Sequence, residues 1–155
     1  MLPVKKIITT TDFSQPALSG IHAAVELAQT FDAELLLVHV MQRLQSVSGA
    51  STMAGYHLPS VEKEIREEVL QLADKLVTSE IPDSVRAKVH ILQGTPAKEI
   101  AGLAEKEDAD LIVIASRGDS MWKPMLFGSV AEGVVRHAQC PVLAVPAVDA
   151  DSDSD

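Results

Sequence analysis

Short apolar runs alternate along the chain with longer segments whose apolar residues recur every three or four positions. The runs predict β-strands at residues 4–10, 34–40, 85–92, 111–115 and 141–145. The helical period predicts helices at about 14–30, 60–79 and 95–107, and a last helix that begins at residue 129. Regular alternation of strands and helices is typical of an α/β fold, with a parallel sheet covered by helices on both faces.

Residues that favour helix starts support these boundaries. Ser14 is the expected N-cap of the first helix, with Pro16 in its first turn, and Thr95 precedes Pro96 at the start of the third. Ser129 and Glu132 have the spacing of a capping box, which predicts a helix start at Ser129. The stripes expected to face inward are Val61, Ile65, Val69, Leu72 and Leu76 in the second helix and Phe127, Val130, Ala131, Val134 and Val135 in the last.

The segment from residue 111 to residue 130 carries the clearest candidate for binding chemistry. A buried strand at 111–114 leads into a loop with Gly118 and Gly128, and the last helix follows at Ser129. The unpaired amides and the positive dipole end of a helix N-terminus attract anions, and glycine lets a phosphate approach the backbone. The same residues also fit an ordinary turn and helix cap, so both interpretations stay open on local features alone.

Length and composition indicate one globular domain with an acidic tail. The chain has 155 residues, 46% of them hydrophobic, and a formal net charge of −9. Residues 1–147 suit a single domain, and residues 148–155 are expected to be a disordered and dispensable acidic tail. Residues 41–58 show no clean period and are expected to form a long loop.

The same data argue against several classes of function. An acidic chain with 3% aromatic residues is a poor partner for nucleic acid, and no apolar run is long enough to predict membrane insertion. The single cysteine, Cys140, fits a reducing cytoplasm and is interpreted as a buried small residue. The five histidines show no metal-ligand spacing, so no metal site is expected, and no Walker A sequence or catalytic residue is evident.

Several motifs, in order, resemble those of the universal stress protein family. Residues 115–129 are similar to the Gly-x2-Gly-x9-Gly-(Ser/Thr) signature of its ATP-binding members, except that Ala115 replaces the first glycine. Further similar segments are Lys5 to Ser14 with the Thr-Asp-x-Ser turn, residues 36–40, Gly94-Thr-Pro96, and the C-terminal block from Gly128 to Val145. The resemblance covers residues 4–146 and implies one doubly wound, five-stranded parallel sheet of strand order 3-2-1-4-5.

The resemblance also implies which residues bind ligand, at the point where the strand order reverses between strands 1 and 4. Asp12 is expected at the ribose and the Val40 backbone at adenine, although an Asx turn and an ordinary core valine are the alternatives for these two residues. Arg117 and Lys123 are expected near the phosphates, or in a solvated loop. The expected nucleotide-binding residues are Thr10, Thr11, Asp12, Val40, Ile114, Ala115, Arg117, Gly118, Gly128, Ser129 and Val130.

Three classes of function follow. The first is a stress or signalling protein that binds ATP, or AMP or ADP, with Mg²⁺ carried by the nucleotide and slow or no hydrolysis. The second is a nucleotide-free dimeric interaction module, favoured by the alanine at position 115. The third, a true ATP-dependent enzyme, is disfavoured because no motif for an acceptor substrate is visible. The resemblance also implies a homodimer through residues 141–146, which form an apolar edge strand, and a further protein partner stays open.

Overall fold

The structure is a computed structural model and describes residues 2–43, 58–117 and 127–147. These ranges form alternating strands and helices, as expected. The elements in chain order are β1 (Lys6–Thr10), α1 (Leu18–Phe31), β2 (Glu34–Met41), α2 (Leu58–Glu80), β3 (Ala87–Gln93), α3 (Pro96–Lys106), β4 (Leu111–Ala115), α4 (Ser129–His137) and β5 (Val142–Val145).

The five strands form one parallel sheet of order β3-β2-β1-β4-β5, which confirms the predicted fold. Strand β1 is central and pairs with β2 on one side, where Thr10 lies opposite Val38, and with β4 on the other, where Thr9 lies opposite Val113. Parallel neighbours need crossover connections, and here each crossover carries a helix. The edges of the sheet are therefore β3 and β5.

Two apolar layers enclose the sheet because successive side chains of a strand point to opposite faces. On one face Ile7 packs with α1 and with the end of α2, and on the other Ile8 packs with α3 and α4. A smaller cluster, centred on Met41, Ala73 and Ile91, joins α2 to the ends of β2 and β3. This burial on both faces explains why β2 and β4 are nearly continuous apolar runs.

The predicted start of the first helix was wrong by four residues. The Ser14 hydroxyl bonds the Asp12 carboxylate, so it caps no helix. Residues 15–17 form a tight turn in which the Leu18 amide donates to the Gln15 carbonyl at 3.1 Å, and Pro16 belongs to this turn. The helix begins only at Leu18.

The predicted inward stripes were also partly wrong. In α2, Leu72 is 46% exposed, and Ala73 is the buried residue. Phe127, which precedes α4, is 47% exposed, and Val135 of α4 is 54% exposed, whereas Ala131 and Val134 of α4 are buried. Helix α4 has nine residues and lies beside the edge strand β5, so its core contact is narrower than the full apolar stripe.

Two further expectations fall on parts of the chain outside the described residues. The long loop predicted at 41–58 overlaps β2 and α2 at its ends, and its centre at 44–57 is not described. The acidic tail at 148–155 is likewise outside. Within the ranges that are described, the protein has no helix with the length and apolar character needed to cross a bilayer.

Candidate functional site

A cavity of about 550 Å³ opens at the carboxyl ends of the strands, where β1 and β4 lie side by side. The chain leaves β1 toward α1 on one face and leaves β4 toward α4 on the other, so the two connections diverge and leave a crevice. A volume of this size suits a small-molecule ligand.

Ten of the eleven residues expected to bind ligand line this one cavity. The eleventh, Gly118, lies outside the described residues, as do Lys123, Asp119 and Trp122. The ten come from four separate segments, namely the end of β1, the end of β2, the end of β4 and the start of α4. They are Thr10, Thr11, Asp12, Val40, Ile114, Ala115, Arg117, Gly128, Ser129 and Val130.

The turn after β1 is held by a dense set of hydrogen bonds. The Thr11 amide donates to the Val38 carbonyl at 2.9 Å, and the Thr11 hydroxyl accepts from the Phe13 amide at 2.9 Å. Asp12 Oδ1 accepts from the Ser14 amide at 2.9 Å and from the Ser14 hydroxyl. Asp12 thus forms the Asx turn considered as its alternative role, and its second oxygen, Oδ2, accepts neither of these bonds.

His39 is a cavity residue that the sequence analysis missed. Its Nδ1 lies 2.8 Å from the Thr11 carbonyl oxygen, and its ring packs against Phe13 with 4.6 Å between centroids. A carbonyl oxygen only accepts, so Nδ1 carries the proton and donates. Phe13 has a positive φ of 63°, which is unusual for a residue with a large side chain.

The backbone of Val40 faces the cavity rather than the neighbouring strand. On the β1 side, the Val38 carbonyl accepts a hydrogen bond from the Thr11 amide. On the β3 side, the Met41 carbonyl accepts one from the Gly94 amide at 2.9 Å. Backbone groups of successive residues point to opposite sides of a strand, so those of Val40 point toward β1. Strand β1 has ended by that level, since its last pair is Thr10 with Val38.

The connection from β4 to α4 brings a helix N-terminus to the same place. Its two ends are joined where the Gly128 amide donates to the Ser116 carbonyl at 2.5 Å. Gly128 is the N-cap, with φ −73°, and it makes no side-chain cap bond. The start at Ser129 is as predicted, but the capping box is absent, because the N-cap is Gly128, which has no side chain, and Glu132 pairs with Arg136. The amides of the first turn, from Ser129 onward, are therefore available to a ligand.

Ala115 is the last residue of β4 and is 8% exposed. It is not among the described non-glycine residues with positive φ, so its backbone conformation is that of the strand. Glycine at this position is therefore not required for the backbone conformation. The alanine methyl group can affect a ligand only by contact.

Helices α2 and α3 supply cavity walls that the sequence did not indicate. Ile65 and Val69 were predicted as inward residues of α2, but no local signal related them, or Ile100 of α3, to a site. The sequence analysis missed Glu62, Gln42 just after β2 and Gln93 at the end of β3 for the same reason. The cavity residues added by the structure are Ala17, His39, Met41, Gln42, Glu62, Ile65, Val69, Gln93, Pro96, Ile100, Ser116 and Ala131.

The shifted pKa values lie away from this cavity. At the opposite end of the sheet, a 2.6 Å bond from Lys88 lowers the pKa of the Glu34 carboxyl, and a 3.2 Å bond from Lys6 lowers that of Glu107. Burial raises the pKa of the half-buried Cys140 thiol, which packs against the core. Among the described residues no group of three or more His, Cys, Asp or Glu side chains could hold a metal ion.

Comparison with known proteins agrees with this arrangement. The sequence profile of the universal stress protein family matches residues 3–146. The chain belongs to the universal stress protein family. This universal stress protein is 35% identical over 141 residues to the universal stress protein MJ0531 of Methanocaldococcus jannaschii, covering 91% of this chain and 81% of the relative.

Solved structures share the fold as well. The structure of the protein MJ0577 superposes with a TM-score of 0.68 at 28% identity, covering 94% of this chain and 98% of the other. A universal stress protein in complex with cAMP has a TM-score of 0.64 at 21% identity, covering 94% of this chain and 98% of the other. At that identity the second likeness shows the fold alone.

Proposed function

We propose that this universal stress protein binds an adenine nucleotide in the cavity between β1 and β4 and acts as a cytoplasmic stress-response or signalling regulator. One observation carries the proposal: ten of the residues that the family resemblance implies for nucleotide binding, drawn from four segments, line a single cavity of about 550 Å³. The cAMP complex adds that the fold accommodates an adenine nucleotide in a distant relative.

The base and the ribose are assigned to the β1–β2 side of the cavity. The Val40 backbone, which points past the end of β1, can exchange hydrogen bonds with the edge of adenine. Met41, Ile65 and Val69 line the cavity nearby and offer apolar surface to the ring. Asp12 Oδ2 is the acceptor proposed for the ribose hydroxyls.

The phosphates are assigned to the start of α4. The amides of Ser129 and Val130 and the Ser129 hydroxyl are donors at the positive end of the helix dipole. Arg117 also lines the cavity and adds a positive charge on the β4 side. We propose ATP as the ligand, with AMP or ADP as alternatives, and Mg²⁺ carried on the phosphates rather than held by a protein cluster.

We expect slow or no hydrolysis. The chain contains no Walker A sequence, which in fast phosphate-transfer proteins positions the β- and γ-phosphates with a lysine and a hydroxyl. Binding without rapid turnover suits a protein that reports the nucleotide state of the cell to a partner. A steady-state phosphate-release assay measures this directly, and turnover of many ATP molecules per second would show a true enzyme.

The nucleotide proposal is tested by identifying what the purified protein carries and what it binds. Mass spectrometry of heat-released ligand should detect an adenine nucleotide. Isothermal titration of ligand-free protein with ATP, ADP and AMP, each with and without magnesium, should give one site per chain. If no nucleotide is released and none produces heat, nucleotide binding is wrong for this chain.

The second candidate is a nucleotide-free dimeric interaction module of the same family. The observation in its favour is Ala115, whose methyl group stands in the cavity wall where the ATP-binding signature has glycine. In this case the protein should be free of ligand and yet dimeric. The two candidate functions therefore predict different ligand contents for the purified protein but the same dimeric assembly.

We also propose a homodimer through residues 141–146. Strand β5 is an edge of the sheet, and its Leu143 side chain is 42% exposed. An apolar edge strand with unpaired backbone groups invites pairing with another strand, and an identical β5 can provide it. Helix α4 packs on the sheet face opposite to that of Leu143, and its Val135 is also exposed, at 54%.

A further inference from the structure

We infer that His39 is a positioning residue for the ligand site, because it holds the two residues that flank Asp12. Its Nδ1–H donates to the Thr11 carbonyl at 2.8 Å, and its ring packs on Phe13. This inference rests on the proposed role of Asp12 at the ribose. It adds a residue that none of the nucleotide-signature positions includes.

The hydrogen bonds of the turn show why one side chain can have this effect. The Thr11 amide donates to the Val38 carbonyl, and its hydroxyl accepts from the Phe13 amide. Its carbonyl accepts from His39, and this is the one bond of the three that a side chain of another strand supplies. Asp12 itself is exposed, and the hydrogen bonds of its carboxylate to described residues go forward to Ser14. The direction of the Asp12 carboxylate therefore depends on the residues before and after it.

The conformation of Phe13 gives a second reason. A positive φ is unfavourable for a residue with a side chain, so it persists only where surrounding contacts favour it. The ring contact with His39, 4.6 Å between centroids, is such a contact, and so is the bond from the Phe13 amide to Thr11. Without His39 the turn loses both its carbonyl bond and its aromatic contact.

Three substitutions separate the contributions. His39→Leu removes the donor and the aromatic ring. His39→Asn keeps an N–H donor near the position of Nδ1, whereas His39→Gln places its amide near the position of Nε2. His90→Leu is the matched control, because His90 lies on the adjacent strand β3 and is not among the described residues that line the cavity.

Affinity for nucleotides with and without ribose hydroxyls provides the test. For ATP we expect His39→Leu and His39→Gln to weaken binding about five- to tenfold, since one hydrogen bond is lost, while His39→Asn recovers part of the loss. For 2′,3′-dideoxy-ATP, which has no hydroxyls for Asp12, we expect changes below about twofold. If a His39 variant loses as much affinity for 2′,3′-dideoxy-ATP as for ATP, the effect is a general structural one and the inference is wrong. The same holds if His90→Leu loses as much affinity for ATP as His39→Leu does.

A double substitution and a ligand-free measurement complete the design. In Asp12→Ala, adding His39→Leu should cost little further ATP affinity, because both changes act through one carboxylate. In ligand-free protein, hydrogen exchange at the Phe13 and Ser14 amides should quicken in His39→Leu and not in His90→Leu. Unchanged exchange contradicts the positioning role even if no nucleotide binds, whereas faster exchange without any nucleotide binding rejects only the proposed function.

Discussion

A Cβ atom on Gly20 would lie 2.7 Å from the amide nitrogen of Ala115. Helix α1 therefore packs directly on the end of β4, with glycine as the residue that permits the contact. The opposing atoms are backbone atoms, including the Ile114 carbonyl carbon at 3.1 Å, and backbone cannot rotate away as a side chain can. The contact links the packing of α1 to the position of Ala115 at the cavity wall.

The first prediction follows from this contact. Gly20→Ala should lower the free energy of unfolding by about 1–3 kcal/mol, because the new methyl group pushes α1 and β4 apart. Its matched control is Gly102→Ala in α3, where an added Cβ meets nothing within 4 Å. That change should raise stability by as much as about 1 kcal/mol through helix propensity. Urea unfolding measures both, and a stabilised Gly20→Ala protein would contradict the tight contact.

The second prediction concerns the nucleotide signature. Ala115→Gly should tighten ATP binding about fivefold, equivalent to about 1 kcal/mol, because a methyl group leaves the cavity wall while the strand conformation is kept. Gly128→Val should abolish binding without unfolding the domain. Since φ at Gly128 is −73°, the expected cause is the bulk of the side chain at the start of α4 rather than backbone strain.

Isothermal titration with ATP and magnesium on the two variants and the wild type decides the matter, with thermal unfolding as the check on folding. If the wild type gives no heat while Ala115→Gly binds, the alanine prevents nucleotide binding. The interaction-module proposal then replaces the nucleotide proposal. If Gly128→Val binds as tightly as the wild type, the phosphates do not lie at the start of α4.

The third prediction concerns assembly. Leu143→Lys should convert a dimer into a monomer, because a charged side chain would be buried at a β5–β5 interface without a partner. Leu72→Lys is the matched control, since Leu72 is 46% exposed on α2, away from β5. Light scattering at micromolar concentration measures the mass of each protein. A monomeric wild type, or a dimer that survives Leu143→Lys, would rule out this interface.

The fourth prediction is a pH dependence set at the end of the sheet opposite the cavity. The pKa values of Glu34 and Glu107 are lowered from 4.5 by hydrogen bonds from Lys88 and Lys6. The stability that these pairs contribute is therefore present above about pH 4.5 and is lost as the pH falls through the lowered folded-state values. Unfolding should become easier on acidification below that pH.

Lysine substitutions test the origin of this loss. Lys88→Met and Lys6→Met should lower stability at neutral pH and approach the wild type at acidic pH, because the protonated carboxyls no longer gain from the lysines. Lys98→Met, at an exposed residue of α3 that forms no ion pair with the described residues, is the control. Urea unfolding between roughly pH 3 and pH 7 gives the comparison. Parallel pH curves for Lys88→Met and the wild type would contradict the assignment.

The sequence alone determined the order and type of the elements. Strand β4 has the predicted bounds Leu111–Ala115, because a β-branched run that is buried on both faces has a strong local signal. The strand order followed from the family resemblance rather than from periodicity. The positions expected to bind ligand were likewise implied by that resemblance.

Only the tertiary structure decided the helix start near Ser14 and the exposure of Val135. Ser14 has the composition of an N-cap, but the Asp12 carboxylate two residues earlier takes its amide and hydroxyl. Val135 continues an apolar stripe, but exposure depends on whether another element lies opposite, and α4 lies at the edge of the sheet. The sequence allowed both an Asx turn at Asp12 and a helix cap at Ser14 without deciding between them, and it holds no information on which element lies opposite Val135.

The walls of the cavity also came from the tertiary structure. His39 and Glu62 are separated by 23 positions and carry no shared motif, yet both line the cavity with Asp12. His39 reaches the Thr11 carbonyl only because β1 and β2 pair in the register that places Thr10 opposite Val38. Such contacts depend on strand register and helix packing, which are set by the burial of the whole core rather than by any segment of the chain.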